Sequence, residues 1–479
     1  MDRRTKIVAT LGPSTDSPEV IDDIIRGGVD VVRLNFSHGT AEDHRRRAEI
    51  VRERAEQYGR HVAVLGDLQG PKIRIERFKE GKITLKEGDP FILDAGCGPD
   101  DGDQDRVGLT YKPLVRDVQA GDTLLLDDGR IVLKVEDVSG FEIQCHTVVG
   151  GALSNNKGIN RQGGGLSAPA ITDKDRADIR TASEIDVDYL AVSFPRSADD
   201  VEEARALMAE AGGSAGIVSK IERAEAVDVI DEIIEASDVI MIARGDLGVE
   251  IGDAELPAVQ KAFIRKARAM NRVVITATQM MESMVENPIP TRAEVFDVAN
   301  AVLDGTDAVM LSGETAAGKY PAKVVEAMGR ICRHAERQEL AKTSDHRIDK
   351  RFTRIDETIA MSAMYAANHM DIGAIAALTE SGATPKWMSR ISSDIPIHAL
   401  TRHVKAARRM ALFKGVVPTL FDYDTQDHHE INRQMVEELL QREVLHEGDK
   451  VIITKGDLLG QGGRTNALKI VRVGDVVNY

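Results

Sequence analysis

The chain has 479 residues, with 62 Lys and Arg against 78 Asp and Glu, a formal charge of −16 and 42% hydrophobic residues. At about 150 residues per domain this length predicts roughly three domains; the hydrophobic content excludes a disordered or fibrous chain, and the acidic balance argues against a nucleic-acid binder. No apolar stretch approaches about 18 residues, the N-terminus lacks a secretory core, and Cys97, Cys145 and Cys332 are too widely spaced for a disulfide framework, so a soluble cytoplasmic enzyme with no membrane partner is expected.

In chain order, short apolar runs alternate with helical stretches. The runs are KIVATLG (6–12), VDVVRLNFS (29–37), HVAVLGDL (61–68), DYLAVSF (188–194), AGIVSKIE (215–222), DVIMIARGD (238–246), RVVITATQ (272–279) and DAVMLSGE (307–314). Near-continuous hydrophobicity suits parallel strands buried on both faces, and eight βα units predict a closed α/β barrel of the (β/α)8, TIM type. Between the third and fourth runs lie far too many residues for one connection. Residues 70–163 read instead as short alternating strands with Gly and Asp turns, a small all-β domain inserted in the barrel. The polar stretch AERQELAKTSDHRIDKR (335–351) reads as a linker or helix end, and 353–479 resume α/β alternation. The expected organisation is barrel (1–69 and 164–340), inserted lid (70–163) and C-terminal α/β domain (353–479).

Active sites of such barrels sit at the C-terminal strand ends. The runs end in polar tips: Arg33, Asn35 and Ser37; Asp67; Lys220 and Glu222; Arg244, Gly245 and Asp246; Thr276, Thr278 and Gln279; Ser312 and Glu314. Glu222 and Asp246, from adjacent strands, suit a hard cation such as Mg²⁺, which keeps positions open for water and substrate oxygens. Lys220 lies two residues before Glu222 and shares its face, as charge developing on a phosphoryl group or enolate requires. Arg33 and Arg74 add positive charge at the rim, and Gly245 and Asp246 offer backbone N–H groups to a carboxylate if a helix starts there. These residues point to a Mg²⁺-dependent enzyme acting on a small phosphorylated or carboxylated anion.

The segments VVRLNFSHG, GPKIR, SKIER, MIARGDLGVEI, the run from Thr276 to Pro321 and SGATPKWMSR resemble pyruvate kinase from residue 3 to residue 475. GDLQGPKIR and LSNNKGINRQGGGLSA further resemble the second bacterial isozyme type. The resemblance implies phosphoryl transfer from phosphoenolpyruvate to ADP, giving pyruvate and ATP. Glu222 and Asp246 would hold Mg²⁺ or Mn²⁺, Arg33 the phosphate, and Lys220 the transferring phosphoryl and enolate. Gly245, Asp246 and Thr278 would hold the carboxylate; Thr278 lies in the proton relay, with Ser312 and Glu314 as further candidates. Arg74 and Lys157 would reach the nucleotide from the lid. A cytoplasmic homotetramer is implied as well.

Many members of the family read Asp-Thr-Lys-Gly-Pro-Glu-Ile-Arg where this chain has Asp67 to Arg74, DLQGPKIR. Those members bind K⁺ at the positions of Asn35, Ser37, Asp67 and the Leu68 carbonyl. Here the acid is Lys72, whose tethered ammonium replaces the free ion, and K⁺ independence is expected. A second departure, INRQGGGLSAPA (159–170), stands where relatives carry Leu-Pro-Gly and Leu-Pro-Ala, and predicts altered lid hinging. In the C-terminal domain Thr379, Ser381, Gly382 and Thr384 form a hydroxyl-and-glycine loop, with Arg464 a second contact. The family uses this loop for an effector, here AMP or a sugar monophosphate, although Glu380 inside it opposes a phosphate. The competing readings are a Mg²⁺-dependent barrel lyase acting on phosphoenolpyruvate or pyruvate, and a non-catalytic sugar-phosphate sensor.

Overall fold

A computed structural model describes residues 3–342 and 351–475. Of the polar stretch 335–351, residues 343–350 lie outside the described residues, as do 476–479 of the C-terminal segment. Three strands open the chain, β1 (Lys6–Leu11), β2 (Val31–Asn35) and β3 (Ala63–Asp67). A β-rich insert follows with β4 (Lys82–Leu85), β5 (Pro90–Asp94), β6 (Arg106–Gly108), β7 (Thr123–Leu126), β8 (Ile131–Ser139), β9 (Glu142–Val149), β10 (Gly151–Ser154) and β11 (Ile159–Arg161). Five more strands, β12 (Tyr189–Val192), β13 (Gly216–Ile221), β14 (Val239–Ala243), β15 (Val273–Ala277) and β16 (Ala308–Leu311), join the first three in a closed parallel barrel.

All eight apolar runs become barrel strands, in the order β1-β16-β15-β14-β13-β12-β3-β2. Their buried residues separate by alternation. Ile7, Ala9, Val32 and Leu34 face the surrounding helices, whereas Val8, Val31, Leu65, Val218 and Ile275 fill the barrel interior. The helices begin where local chemistry stops the strand: Ser17 accepts from Val20 N–H at 3.3 Å, and Thr172 and Thr291 form reciprocal capping boxes with Asp175 and Glu294.

The insert forms a six-stranded sheet, β11-β7-β8-β9-β5-β6, and a two-stranded ladder, β10-β4, around its own apolar cluster running from Ile75 to Leu166. The chain enters it through Gly70, φ 66°, where an added Cβ would stand 2.7 Å from the Ser193 Cβ, so only glycine fits. The C-terminal sheet contains β17 (Ala374–Leu378), β18 (Ile397–Thr401), β19 (Val416–Leu420), β20 (Lys450–Lys455) and β21 (Ala467–Arg472), in the order β19-β18-β17-β20-β21, with β21 antiparallel. Strands β6, β10, β11 and β21 were not anticipated from the sequence: the first three have only three or four residues, too few to display a period. No helix among the described residues is long and apolar enough to cross a membrane.

The barrel interior and the C-terminal sheet share one apolar cluster, which also contains Met388, Met410, Leu412 and Phe413. Beside it Arg390, fully buried, pairs with both carboxylate oxygens of Asp307 (2.8 Å for Nη1 to Oδ2) and donates to the Arg272 carbonyl at 2.6 Å. Removing one partner of a buried pair leaves an uncompensated charge, so Arg390→Ala is expected to cost about 3–5 kcal/mol in chemical denaturation. Arg390→Lys, which retains the charge but not the fork, should lose less.

Candidate active site

The C-terminal barrel ends and the insert face each other across a cleft of about 660 Å³. Ser193, Phe194, Lys220, Glu222 and Asp246 line it from the barrel; Lys72, Arg74, Asn156 and Lys157 line it from the insert. At its floor the Lys220 ammonium meets Glu222 Oε1 at 2.8 Å and Asp67 Oδ1 at 3.5 Å and donates to Ser193 Oγ at 2.7 Å. Burial lowers its proton affinity, but Asp67 and Glu222 outweigh burial and hold the group charged. Glu222, also buried, accepts from Phe194 N–H at 2.9 Å; its carboxyl is pushed up to about 7 by desolvation, against the pull of Lys220 and with the charge of Asp246 adding to the rise. Desolvation likewise raises Asp246, offset by Lys220 and reinforced by Asp128 of the insert.

Arg33 reaches the same cluster from β2. Its Nε donates to Asp67 Oδ2 at 2.6 Å and its Nη1 to Thr10 Oγ1 at 3.1 Å. Register makes this possible, because Asn35 pairs with Asp67 across β2 and β3. Asn35 Oδ1 accepts from Ser37 N–H (3.1 Å), and the Leu68 carbonyl accepts from Ser193 Oγ (2.8 Å). Lys72 stands half-buried on the cleft wall; its proton affinity is lowered by burial and by Arg74 and Lys174.

Beyond β14 a helix starts at Arg244 (Arg244–Ile251), which places Gly245 and Asp246 in its first turn. Gly245 N–H donates to Thr278 Oγ1 at 2.8 Å. Thr278 and Gln279 adopt left-handed backbones, φ 66° and 53°. For a β-branched residue this is an outlier costing about 1–3 kcal/mol, and it persists only where the surroundings impose it. Arg244 imposes it: buried, it donates to the carbonyls of Ala277 (3.3 Å) and Thr278 (2.8 Å) and forks onto Asp297 with two 2.7 Å bonds.

Residues 2–325 match the family described as pyruvate kinase, barrel domain, and residues 357–471 match pyruvate kinase, alpha/beta domain. The chain is 57% identical to pyruvate kinase II of Salmonella typhimurium over 475 residues, 98% of this chain and 99% of that protein. It is 56% identical over 476 residues to pyruvate kinase of Haemophilus influenzae (98% and 99%), and 42% identical over 481 residues to that of Corynebacterium glutamicum (99% and 98%). The chain belongs to the pyruvate kinase family.

Within this pyruvate kinase the remaining candidate residues are placed as follows. Lys157 Nζ pairs with Asp127 Oδ1 at 2.8 Å, in a turn where Asp127 and Asp128 are both left-handed. Buried Glu314 accepts from Met281 N–H (3.1 Å) and Ser312 N–H (2.6 Å), so both its oxygens hold backbone. In the C-terminal loop Gly382 N–H donates to Thr379 Oγ1 (2.9 Å) and Thr384 Oγ1 meets Thr465 Oγ1 (2.6 Å). Glu380 is drawn to Arg402 (3.3 Å), His403 (2.5 Å) and the Tyr423 hydroxyl (3.4 Å) and remains at the pocket edge, while Ser381 and Arg464 are exposed.

Sequence reasoning passed over Ser193, which ends the fourth apolar run and would have been found by the same rule of polar tips. Arg244 was noted as a tip without its clamping role, and Glu250, which borders the cleft, was missed altogether.

The electrostatics carry a pH consequence. A carboxyl whose proton affinity rises on folding favours the fold while protonated, and that contribution is lost as pH climbs from the ordinary carboxylate range to about 7. Over that window the metal-free wild-type protein is expected to lose stability relative to Glu222→Gln in denaturant titrations. Parallel pH profiles for the two proteins would refute this reading of Glu222.

Proposed function

We propose that this enzyme transfers the phosphoryl group of phosphoenolpyruvate to ADP, with a divalent ion held by Glu222 and Asp246, and that it works without K⁺. The observation that carries the reading is the clustering of Lys220, Glu222, Asp246, Asp67 and Arg33 at the barrel mouth, facing Arg74 and Lys157 of the insert across one cleft. Among the described residues no three His, Cys, Asp or Glu side chains form a complete metal cage. Two carboxylates on the cleft floor, each with its proton affinity raised chiefly by desolvation, fit Mg²⁺ or Mn²⁺ instead, with substrate and water completing the shell. When bound, the ion supplies positive charge to the phosphoryl and enolate oxygens.

The chain's own groups do the rest. Arg33 is fixed by Asp67 and Thr10 and presents its remaining N–H to the substrate phosphate. Lys220 stabilises the charge that builds up on the bridging oxygen, which becomes the enolate oxygen, as its bond to phosphorus breaks and a new one forms to the terminal ADP oxygen. Gly245, Asp246 and Thr278 hold the carboxylate, and the Thr278 hydroxyl stands in the relay that protonates the enolate carbon, with Ser312 and Glu314 as its outer members. The insert, residues 70–163, acts as a lid: it brings Arg74 and Lys157 to the nucleotide phosphates and excludes water, so that ADP receives the phosphoryl group.

K⁺ independence rests on Lys72, an ammonium that lines the same cleft as Ser37 and stands where many family members carry an acid. The Leu68 carbonyl is already engaged by Ser193 Oγ, and the Phe36 carbonyl by Lys174 Nζ at 2.7 Å. Pyruvate formation with Mg²⁺ in tetramethylammonium buffer is therefore expected to proceed equally well with and without K⁺, and Lys72→Glu to become K⁺-dependent. Activity of the wild type only with K⁺ would overturn this part alone.

The loop Thr379–Thr384 is assigned to an AMP or sugar-monophosphate effector, and a homotetramer in the cytoplasm completes the reading. Exposed Phe296 and Ile289 offer apolar surface for contact between copies. Ribose 5-phosphate is expected to shift the phosphoenolpyruvate saturation curve to lower concentration, and Thr384→Val to abolish the shift; no shift with AMP or any sugar monophosphate would remove the assignment.

A further inference from the structure

The triple glycine Gly163–Gly165 marks where the insert rejoins the barrel. Gly163, Gly164 and Gly165 all adopt left-handed backbones, φ 81°, 78° and 90°, and a side chain at Gly164 would overlap the Glu225 carboxylate. Barrel residues grip this strap one after another. Arg223 Nη1 donates to the Leu166 carbonyl at 2.8 Å, Glu225 accepts from Gly165 N–H, and the Glu250 carbonyl accepts from Gly163 N–H at 3.2 Å.

Glu250 makes further links. Its side chain is buried; Oε2 accepts from Ala224 N–H at 2.8 Å, and Oε1 accepts from Asn160 Nδ2 of β11 at 3.4 Å. Ala224 follows Glu222 by two residues, and Glu250 lies in the last turn of the helix whose first turn carries Gly245 and Asp246. One carboxylate thus ties the insert to both segments that present the cation-binding acids. The carboxylate stays in the cleft wall without reaching the cluster around Lys220.

We propose that Glu250 is a positioning residue that seats the insert over the barrel, fixing the height of Lys157 and Arg74 above Glu222 and Asp246. This rests on the reading of the insert as the nucleotide-binding lid. A seat for the lid should act on the nucleotide half of the reaction, whereas a residue serving only general stability would weaken both substrates together.

The test is steady-state kinetics of the full-length enzyme with Glu250→Ala, Asn160→Ala, the double variant and Glu250→Gln. Glu250→Ala and Asn160→Ala should each raise the KM for ADP about tenfold, with the KM for phosphoenolpyruvate changed less than about twofold, and the double variant should be no worse than either single change. Glu250→Gln should recover most of the loss, because its amide can exchange hydrogen bonds with a reoriented Asn160. Equal rises in both KM values, multiplicative effects in the double variant, or no change for ADP would each overturn the proposal. Lys157→Ala separates this from failure of the lid reading. If it raises the KM for ADP while Glu250→Ala does not, the seat alone falls; if it leaves ADP saturation unchanged, the lid reading falls and the seat with it.

Discussion

The burial of Lys220 between Glu222 and Asp67 is the interaction around which the barrel mouth is arranged. Taking such charges out of water costs several kcal/mol per ion, and mutual attraction offsets this only where geometry is tight and spare lone pairs are used. Rigid parallel strands meet that demand: Asp67 closes β3, Lys220 lies within β13, and Ser193 just past β12 uses its hydroxyl to connect the ammonium to the Leu68 carbonyl. Three carboxylates, Asp67, Glu222 and Asp246, face two cations, Lys220 and Arg33. Desolvation first, and the neighbouring carboxylates second, raise the proton affinity of Glu222 and Asp246, as suits a place for a further cation.

A second layer maintains that arrangement. Arg244 keeps Thr278 in an otherwise unfavourable backbone state, which in turn sets the hydroxyl against Gly245 N–H. The strain is local, and buried Arg244, forked onto half-buried Asp297, sustains it. The insert has its own apolar core and joins the barrel through Gly70 on one side and the triple glycine on the other.

The C-terminal domain is joined to the barrel more firmly. The shared apolar cluster, the Arg390–Asp307 pair, and the bonds from Lys405 and Arg408 to Asp186 and Asp188 leave little room for independent motion. Arg408 and Lys405 sit in the helix Val404–Met410, which follows Arg402 and His403, the partners of Glu380. The loop around Glu380 is thereby linked through one short helix to Asp186 and Asp188, just before the strand that begins at Tyr189.

The barrel was legible in the sequence because strands buried on both faces are continuous apolar runs, and because each run must change to polar residues where it meets the cleft. Arg33, Asp67, Lys220, Glu222 and Asp246 follow from that rule, since strand direction alone carries them to the same end. The partnerships do not follow from it. Arg244 meets Asp297 across 53 residues, Glu250 meets Asn160 across 90, and Glu380 is turned aside by groups from two other segments. Backbone periodicity is a local property of the chain, written in side-chain volume and polarity; which polar atoms share a hydrogen bond is decided only when the helices and the insert are packed, by distances that no local pattern encodes.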